Sequence, residues 1–214
     1  MAELGTILLS SKILAALLAS LIRVANLGYY VYTIFKGQTK PHLYTWLGWG
    51  IIGLIIGIIQ TIEGETYGAI PAYTAAFTCF VRVVLAIPYG EKDITMSDKV
   101  SLFGCLGSIL IWLVTNEPLA SVLLLTMIDI FAYYPTYRKT WSKPMEEPIF
   151  SHFLFGFTNT LTIFGLASIT VTTAAYPFGV AVASYGFVIY TLMRRKQLAM
   201  NGFAINKKEF HKNG

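Results

Sequence analysis

Residues 26–41 read NLGYYVYTIFKGQTKP and residues 129–144 read DIFAYYPTYRKTWSKP. A shift of 103 residues lays one stretch on the other: Asn26 falls on Asp129, Tyr30 on Tyr133, Thr33 on Thr136, Lys36 on Lys139, and Lys40-Pro41 on Lys143-Pro144. The same shift carries Gly53 onto Gly156 and Ala72-Tyr73 onto Ala175-Tyr176 without a gap. The register thus runs through three apolar segments and both connections between them, as expected of a duplicated unit. The chain divides into two related three-segment units with one further segment between them.

The composition says what medium those segments occupy. Of 214 residues, 55% are hydrophobic and only 13% charged, and the mean hydropathy is +0.61. A soluble domain carries about 25% charged residues. Apolar runs extend from about Ile7 to Phe35, Tyr44 to Ile62, Tyr67 to Ile87, Val100 to Thr115, Leu119 to Tyr137, Pro148 to Ala167 and Ile169 to Met193. Each is near the ~20 residues needed to cross ~30 Å of hydrocarbon. Lipid offers no partner to backbone N–H and C=O groups, so these runs are expected to be helical. The alternating ten-residue strands of a membrane barrel are absent. The first run has no basic residue before Lys12 and lacks a small-x-small site, which argues against a cleaved signal peptide.

Basic residues fix the expected orientation. Lys36 and Lys40 follow the first run, Lys92 and Lys99 the third, and Arg138, Lys139 and Lys143 the fifth. Arg194, Arg195, Lys196, Lys207, Lys208 and Lys212 follow the last. The alternate connections (Glu63-Gly64-Glu65, Asn116-Glu117-Pro118 and the turn near Ser168) carry none. The positive-inside rule then places the N-terminus outside and the C-terminus in the cytoplasm, which requires an odd number of crossings. The basic tail reads as a topology anchor beside anionic lipid rather than a nucleic-acid surface.

Asp129, Pro135-Thr136-Tyr137-Arg138-Lys139, Trp141 and Lys143-Pro144 resemble the PQ-loop motif of the SWEET, SemiSWEET and cystinosin superfamily. In that motif a proline followed by Gln or Thr breaks the first helix of a three-helix bundle near the cytoplasmic face. Thr39-Lys40-Pro41, Trp46 and the run ending in Ile111-Trp112 extend the similarity, most closely to bacterial seven-helix membrane proteins with two such units. Tyr32-Thr33 stands where the first unit should carry its proline, so a hinge there would need another origin. The resemblance implies a small-solute carrier in a bacterial inner membrane and leaves the solute open.

Charges inside hydrocarbon cost roughly 2.5–3.5 kcal/mol each on insertion scales and must be sheltered. Arg23 lies near the middle of the first run and Asp129 near the middle of the fifth. They could face a central cavity, with Asp129 binding solute or proton and Arg23 tuning it, or form a structural ion pair joining the units. His152 and Asn159 share one helical face, and Trp49 is the repeat mate of His152. His152 could move protons, although a hydrogen-bonded packing role is the commoner fate of such a residue. Tyr73 and Tyr176, beside Pro71 and Pro177, suit a sugar or heterocycle as well as an interfacial belt. Arg82 is expected to snorkel to the near interface. Pro135 should kink its helix, as a hinge or as a static bend.

Other motifs carry no chemistry. Gly48-x-Gly50-x2-Gly53 matches a dinucleotide fingerprint by letter, but it opens no strand-turn-helix unit. Gly53-x3-Gly57 fits a close helix contact better. Cys79 and Cys105 are isolated thiols, and His42, His152 and His211 lack ligand spacing.

The expectation is an all-α integral membrane protein with seven transmembrane helices in a 3+1+3 parallel repeat, N-terminus out and C-terminus in. Residues 1–90 form the first bundle, 91–117 a linker helix, 118–196 the second bundle and 197–214 a basic cytoplasmic tail. It would carry a sugar, amino acid or nucleoside-like solute by alternating access, with or without proton coupling, and without catalysis, cofactor, metal or nucleic acid. Candidate substrate-binding residues are Arg23, Asn26, Trp49, Tyr73, Asp129, His152, Asn159 and Tyr176, with Pro135 and Thr136 as hinge. The central charges suit a zwitterion or a polyhydroxyl compound. Monomer and homo-oligomer stay open, since Gly104 to Ser108 offers a small-residue face. The rival is a PQ-loop-type receptor or sorting protein, a class that includes the KDEL receptor, in which Arg194-Arg195-Lys196 would be a sorting signal.

Overall fold

The computed structural model describes residues 2–41, 43–90, 117–142 and 144–210, with isolated positions between 96 and 114. The expected fourth span lies outside these apart from those positions, as do His42, Cys105, Lys143 and His211. Every regular element among the described residues is helical: α1 (Ala2–Phe35), α2 (Leu43–Ile62), α3 (Ile70–Tyr89), α4 (Pro118–Ala132), α5 (Tyr134–Ser142), a 3₁₀ turn (Pro144–Glu146), α6 (Ile149–Gly165) and α7 (Val171–Phe210). Four stretches are long and apolar enough to cross a membrane, Leu9–Phe35, Leu43–Ile62, Ile70–Tyr89 and Val171–Met200, and Pro118–Phe131 is a shorter apolar helix.

Local chemistry sets the helix ends. α1 and α2 stop on Gly37 and Gly64, whose φ values of +69° and +86° are left-handed. Gln38 N–H returns to the Thr33 carbonyl at 3.0 Å and Glu65 N–H to that of Gln60 at 2.8 Å, so orphan carbonyls are satisfied as the chain turns. α3 begins at Ile70 rather than Tyr67, with Pro71 in its first turn, where a missing N–H costs nothing. The expected break near Pro135 is present. Pro135 has no N–H to return to Phe131, and the Tyr133 N–H reaches Ile130, three residues back, at 3.1 Å. α1 runs unbroken through Tyr32, where the first unit lacks proline. α7 continues to Phe210, past the expected end at Met193. Its 40 residues span about 60 Å, twice the hydrocarbon thickness.

α3 packs between α1 and α2, and α7 packs between α4 and α6. Across the two sets, α1 lies on α6 and α2 meets α4, the α1–α6 face being the broader. This main pattern is unchanged when α1, α2 and α3 are exchanged with α4, α6 and α7. Small residues permit the closest approaches. A Cβ on Gly53 would sit 3.2 Å from the backbone nitrogen of Ala76 on α3, and one on its mate Gly156 would sit 3.2 Å from Ser184 Cβ on α7. The mates of Ala72 and Ala76 are Ala175 and Gly179, so the α6–α7 contact has slipped along α7 relative to α2–α3. Gly179 faces Thr126 of α4 instead.

The distribution of polarity is inverted relative to a water-soluble bundle. Leu14, Leu21, Phe77, Val84, Phe131, Phe164 and Phe178 are exposed, while Arg23, Asn26, Arg82, Asp129, Asn159 and Thr162 are buried. An apolar skin over an interior that seats these polar groups beside an apolar core suits hydrocarbon as solvent.

Candidate functional site

Arg23 and Asn26 lie on one face of α1, three residues apart, and both turn toward α6. Arg23 Nη2 donates to Asn159 Oδ1 at 3.1 Å and to Thr162 Oγ1 at 3.3 Å. Its guanidinium lies 5.8 Å from the centre of the Phe155 ring. Asn26 accepts from the Ser151 hydroxyl at 2.8 Å and donates to the Ser151 carbonyl at 3.4 Å. Ser151, Phe155, Asn159 and Thr162 follow at helical spacing, so one stripe of α6 receives both side chains.

α4 supplies the opposite charge. Asp129, 1% exposed on α4, accepts from the Tyr176 hydroxyl at 3.4 Å, and its Oδ2 has no partner. One turn along, the Tyr133 hydroxyl is 2.9 Å from Ser184 Oγ. Trp49 of α2 closes the interior, stacked on Phe155 at 6.0 Å and tilted against Tyr133 at 5.6 Å. Its Nε1 is also without a partner, as is Arg23 Nε. No hydrogen bond or ion pair joins Arg23 to Asp129, so the structural ion pair weighed from sequence is not formed.

Among the described residues six buried side-chain atoms lack a partner: Arg23 Nε, Trp49 Nε1 and Asp129 Oδ2, one each from α1, α2 and α4 in this interior, and Gln60 Oε1, Arg82 Nε and Thr140 Oγ1 outside it. A buried polar atom without a partner costs about 1–3 kcal/mol, and such groups call for an explanation beyond packing. Arg23, Asn26, Trp49, Asp129, Asn159 and Tyr176 are the candidates that the fold buries in this interior.

Tyr73 is not among them. It is 36% exposed, its ring lies over Gly57, and its hydroxyl is 2.9 Å from Thr61 Oγ1. The absent side chain at Gly57 leaves a slot on α2 that takes the ring, and α3 presents Tyr73 there. His152 sits toward the Pro41–Pro144 end, 3.6 Å from the Glu147 carboxylate and 4.5 Å from the Phe187 ring. Arg82 does not snorkel. It is 4% exposed, donates to the Thr78 carbonyl at 3.1 Å, and lies 4.8 and 4.5 Å from the Tyr30 and Trp46 rings. Two aromatic faces hold the cation where no carboxylate does. Thr136 is half-buried on α5, just past the helix break.

The sequence reading missed Glu65. Its carboxylate, 1% exposed, accepts the N–H groups of Ala167 and Ser168 at 2.5 and 2.7 Å and the Ser168 hydroxyl at 3.3 Å. Glu65 and Ser168 are 103 residues apart, the spacing of the sequence shift, and through them the loop before α3 meets the loop before α7. Lys12 Nζ also reaches the Ala167 carbonyl at 2.6 Å. The signal was present in the pairing of positions 65 and 168, although an acidic loop residue reads first as solvated. Glu65→Ala should remove about 1.5–3 kcal/mol, the worth of hydrogen bonds to a charged group, whereas exposed Glu63→Ala should change little. Thermal unfolding of both variants in one detergent checks this, and equal midpoints would discount the contact.

Among the described residues no three His, Cys, Asp or Glu side chains gather as a metal site. Comparison with family models, curated proteins and solved structures finds no match.

Proposed function

We propose that the chain is a seven-span membrane carrier of a small polar solute, working by alternating access between two three-helix units. In this reading residues 1–90 and 118–196 are the units, 91–117 the linker helix that restores their common direction, and the N-terminus lies outside. What carries the reading is the meeting of both units at a buried interior where Arg23 Nε, Trp49 Nε1 and Asp129 Oδ2 are left without protein partners. The exchange-symmetric packing supports two equivalent units, and parallel repeats about an axis along the membrane normal are an established transporter plan. The break at Tyr133, beside Pro135 and Thr136, gives one unit a place to bend.

The receptor reading draws on the Arg194-Arg195-Lys196 run as an exposed signal. Arg194 instead donates to the Trp141 carbonyl at 2.9 Å and lies 3.8 Å from that residue's ring. Arg195 donates to the Pro144 and Glu147 carbonyls, each at 3.0 Å. Arg194 ties α7 to α5 and Arg195 ties it to the 3₁₀ turn and the residue after it, which favours the carrier. Purified protein in proteoliposomes should exchange labelled solute across the membrane well above protein-free vesicles. Saturable binding without any flux would make it a receptor.

A further inference from the structure

A buried cation or anion destabilises its surroundings unless an opposite charge compensates it. Arg23 has no such compensation from the protein: its partners are the neutral Asn159 and Thr162 and the face of Phe155. Asp129 likewise has only the neutral Tyr176 hydroxyl, at a long 3.4 Å. Of the other buried charges, Glu65 is bound to the Ala167–Ser168 backbone, and Arg82, whose Nε also lacks a partner, is enclosed by the Tyr30 and Trp46 rings and the Thr78 carbonyl. Arg23 of α1 and Asp129 of α4 are thus a positive and a negative group that do not pair with each other, each with an unpartnered atom.

Resting on the carrier reading, we infer that the transported solute is a zwitterion of the amino-acid type, with its carboxylate on Arg23 and its ammonium on Asp129. A polyhydroxyl compound would satisfy hydrogen bonds but leave both charges uncompensated. A singly charged solute would leave one. A zwitterion compensates both and brings no net charge into hydrocarbon. Charge-assisted hydrogen bonds to the two groups are roughly twice as strong as neutral ones. The stacked Trp49 and Phe155 rings suit an apolar side chain beside the charged groups, which points to the neutral members of the class. Because the two charges come from opposite units, one solute holding both would couple occupancy to the relative position of the units.

The test uses the full chain in proteoliposomes with four labelled pools: neutral L-amino acids, their methyl esters (ammonium only), the corresponding 2-hydroxy acids (carboxylate only), and hexoses. Uptake is expected for the amino acids, at least tenfold above each other pool, and at least tenfold lower in an Arg23→Gln protein. In that variant the residual preference over methyl esters should vanish, because the group that reads the carboxylate is gone. Hexose uptake without amino-acid uptake overturns the inference and leaves a carrier. Equal uptake of 2-hydroxy acids also overturns it, assigning Asp129 to a proton instead. Thermal stabilisation by the amino-acid pool without flux supports the ligand class and rejects transport. Neither flux nor stabilisation with any pool overturns the inference and removes the support for the carrier reading with it.

Discussion

Uptake by an Asp129→Asn protein is expected to fall at least about 30-fold while the folded bundle is no less stable than its parent. The asparagine keeps an oxygen where Tyr176 now donates at 3.4 Å, so local packing is preserved. The charge is lost, and truncating a buried hydrogen-bonded charge contact costs about 2–5 kcal/mol in binding. Every 1.4 kcal/mol is a factor of ten. Stability should move the other way, because an unpartnered buried carboxylate costs free energy that an amide does not. A group that lowers stability yet is needed for activity is what a binding site requires of the fold. Initial uptake rates in proteoliposomes and thermal midpoints in one detergent check both halves. Undiminished uptake that does not vary with pH would remove Asp129 from the site.

Leucine at Gly53 is expected to destabilise the protein by about 3 kcal/mol, at the upper end of the overpacking range. A Cβ there already meets the Ala76 nitrogen at 3.2 Å and the Ala72 oxygen at 3.4 Å, and backbone cannot swing aside. Leucine at Gly156 should cost less, about 1–2 kcal/mol. Its nearest neighbour is the Tyr185 ring at 3.0 Å, with Ser184 Cβ at 3.2 Å, and a ring can rotate away. Leucine at Gly28 should be neutral or stabilising, since nothing lies within 4 Å of its Cβ and glycine is a poor helix former. Thermal midpoints of the three variants should rank Gly53, Gly156, Gly28 from most to least destabilised. Equal effects at positions 53 and 28 would mean that α2 and α3 do not touch at Gly53.

The sequence made the helices visible because lipid-spanning runs announce themselves by length, and Pro135 located the break at Tyr133 through a missing hydrogen bond. Arg23, Asp129 and Asn159 were also legible, since a polar side chain in hydrocarbon must turn inward. Helical phase was harder to read elsewhere. A membrane helix is apolar on its lipid face and on its packed face, so periodicity does not tell them apart. Tyr73 and Tyr176 are repeat mates with different fates because Gly57 opens a slot beside one of them. Arg82 was misplaced because its distance from a helix end suggested snorkelling, whereas its ring partners, Tyr30 and Trp46, belong to other helices. Glu65 depends on the meeting of two loops that are far apart in the chain, which composition cannot express.

Alternating access between two units requires the loops that meet at Glu65 and Ser168 to separate during each cycle. Cysteines replacing this pair, introduced after changing Cys79 and Cys105 to serine, would sit on the two loops now joined by the 3.3 Å contact of Ser168 Oγ with the Glu65 carboxylate. Uptake of labelled neutral amino acids by the oxidised, cross-linked protein should be abolished, and reduction of the disulfide should restore it. Uptake that continues unchanged with the cross-link fully formed would contradict a carrier whose two units part at that end.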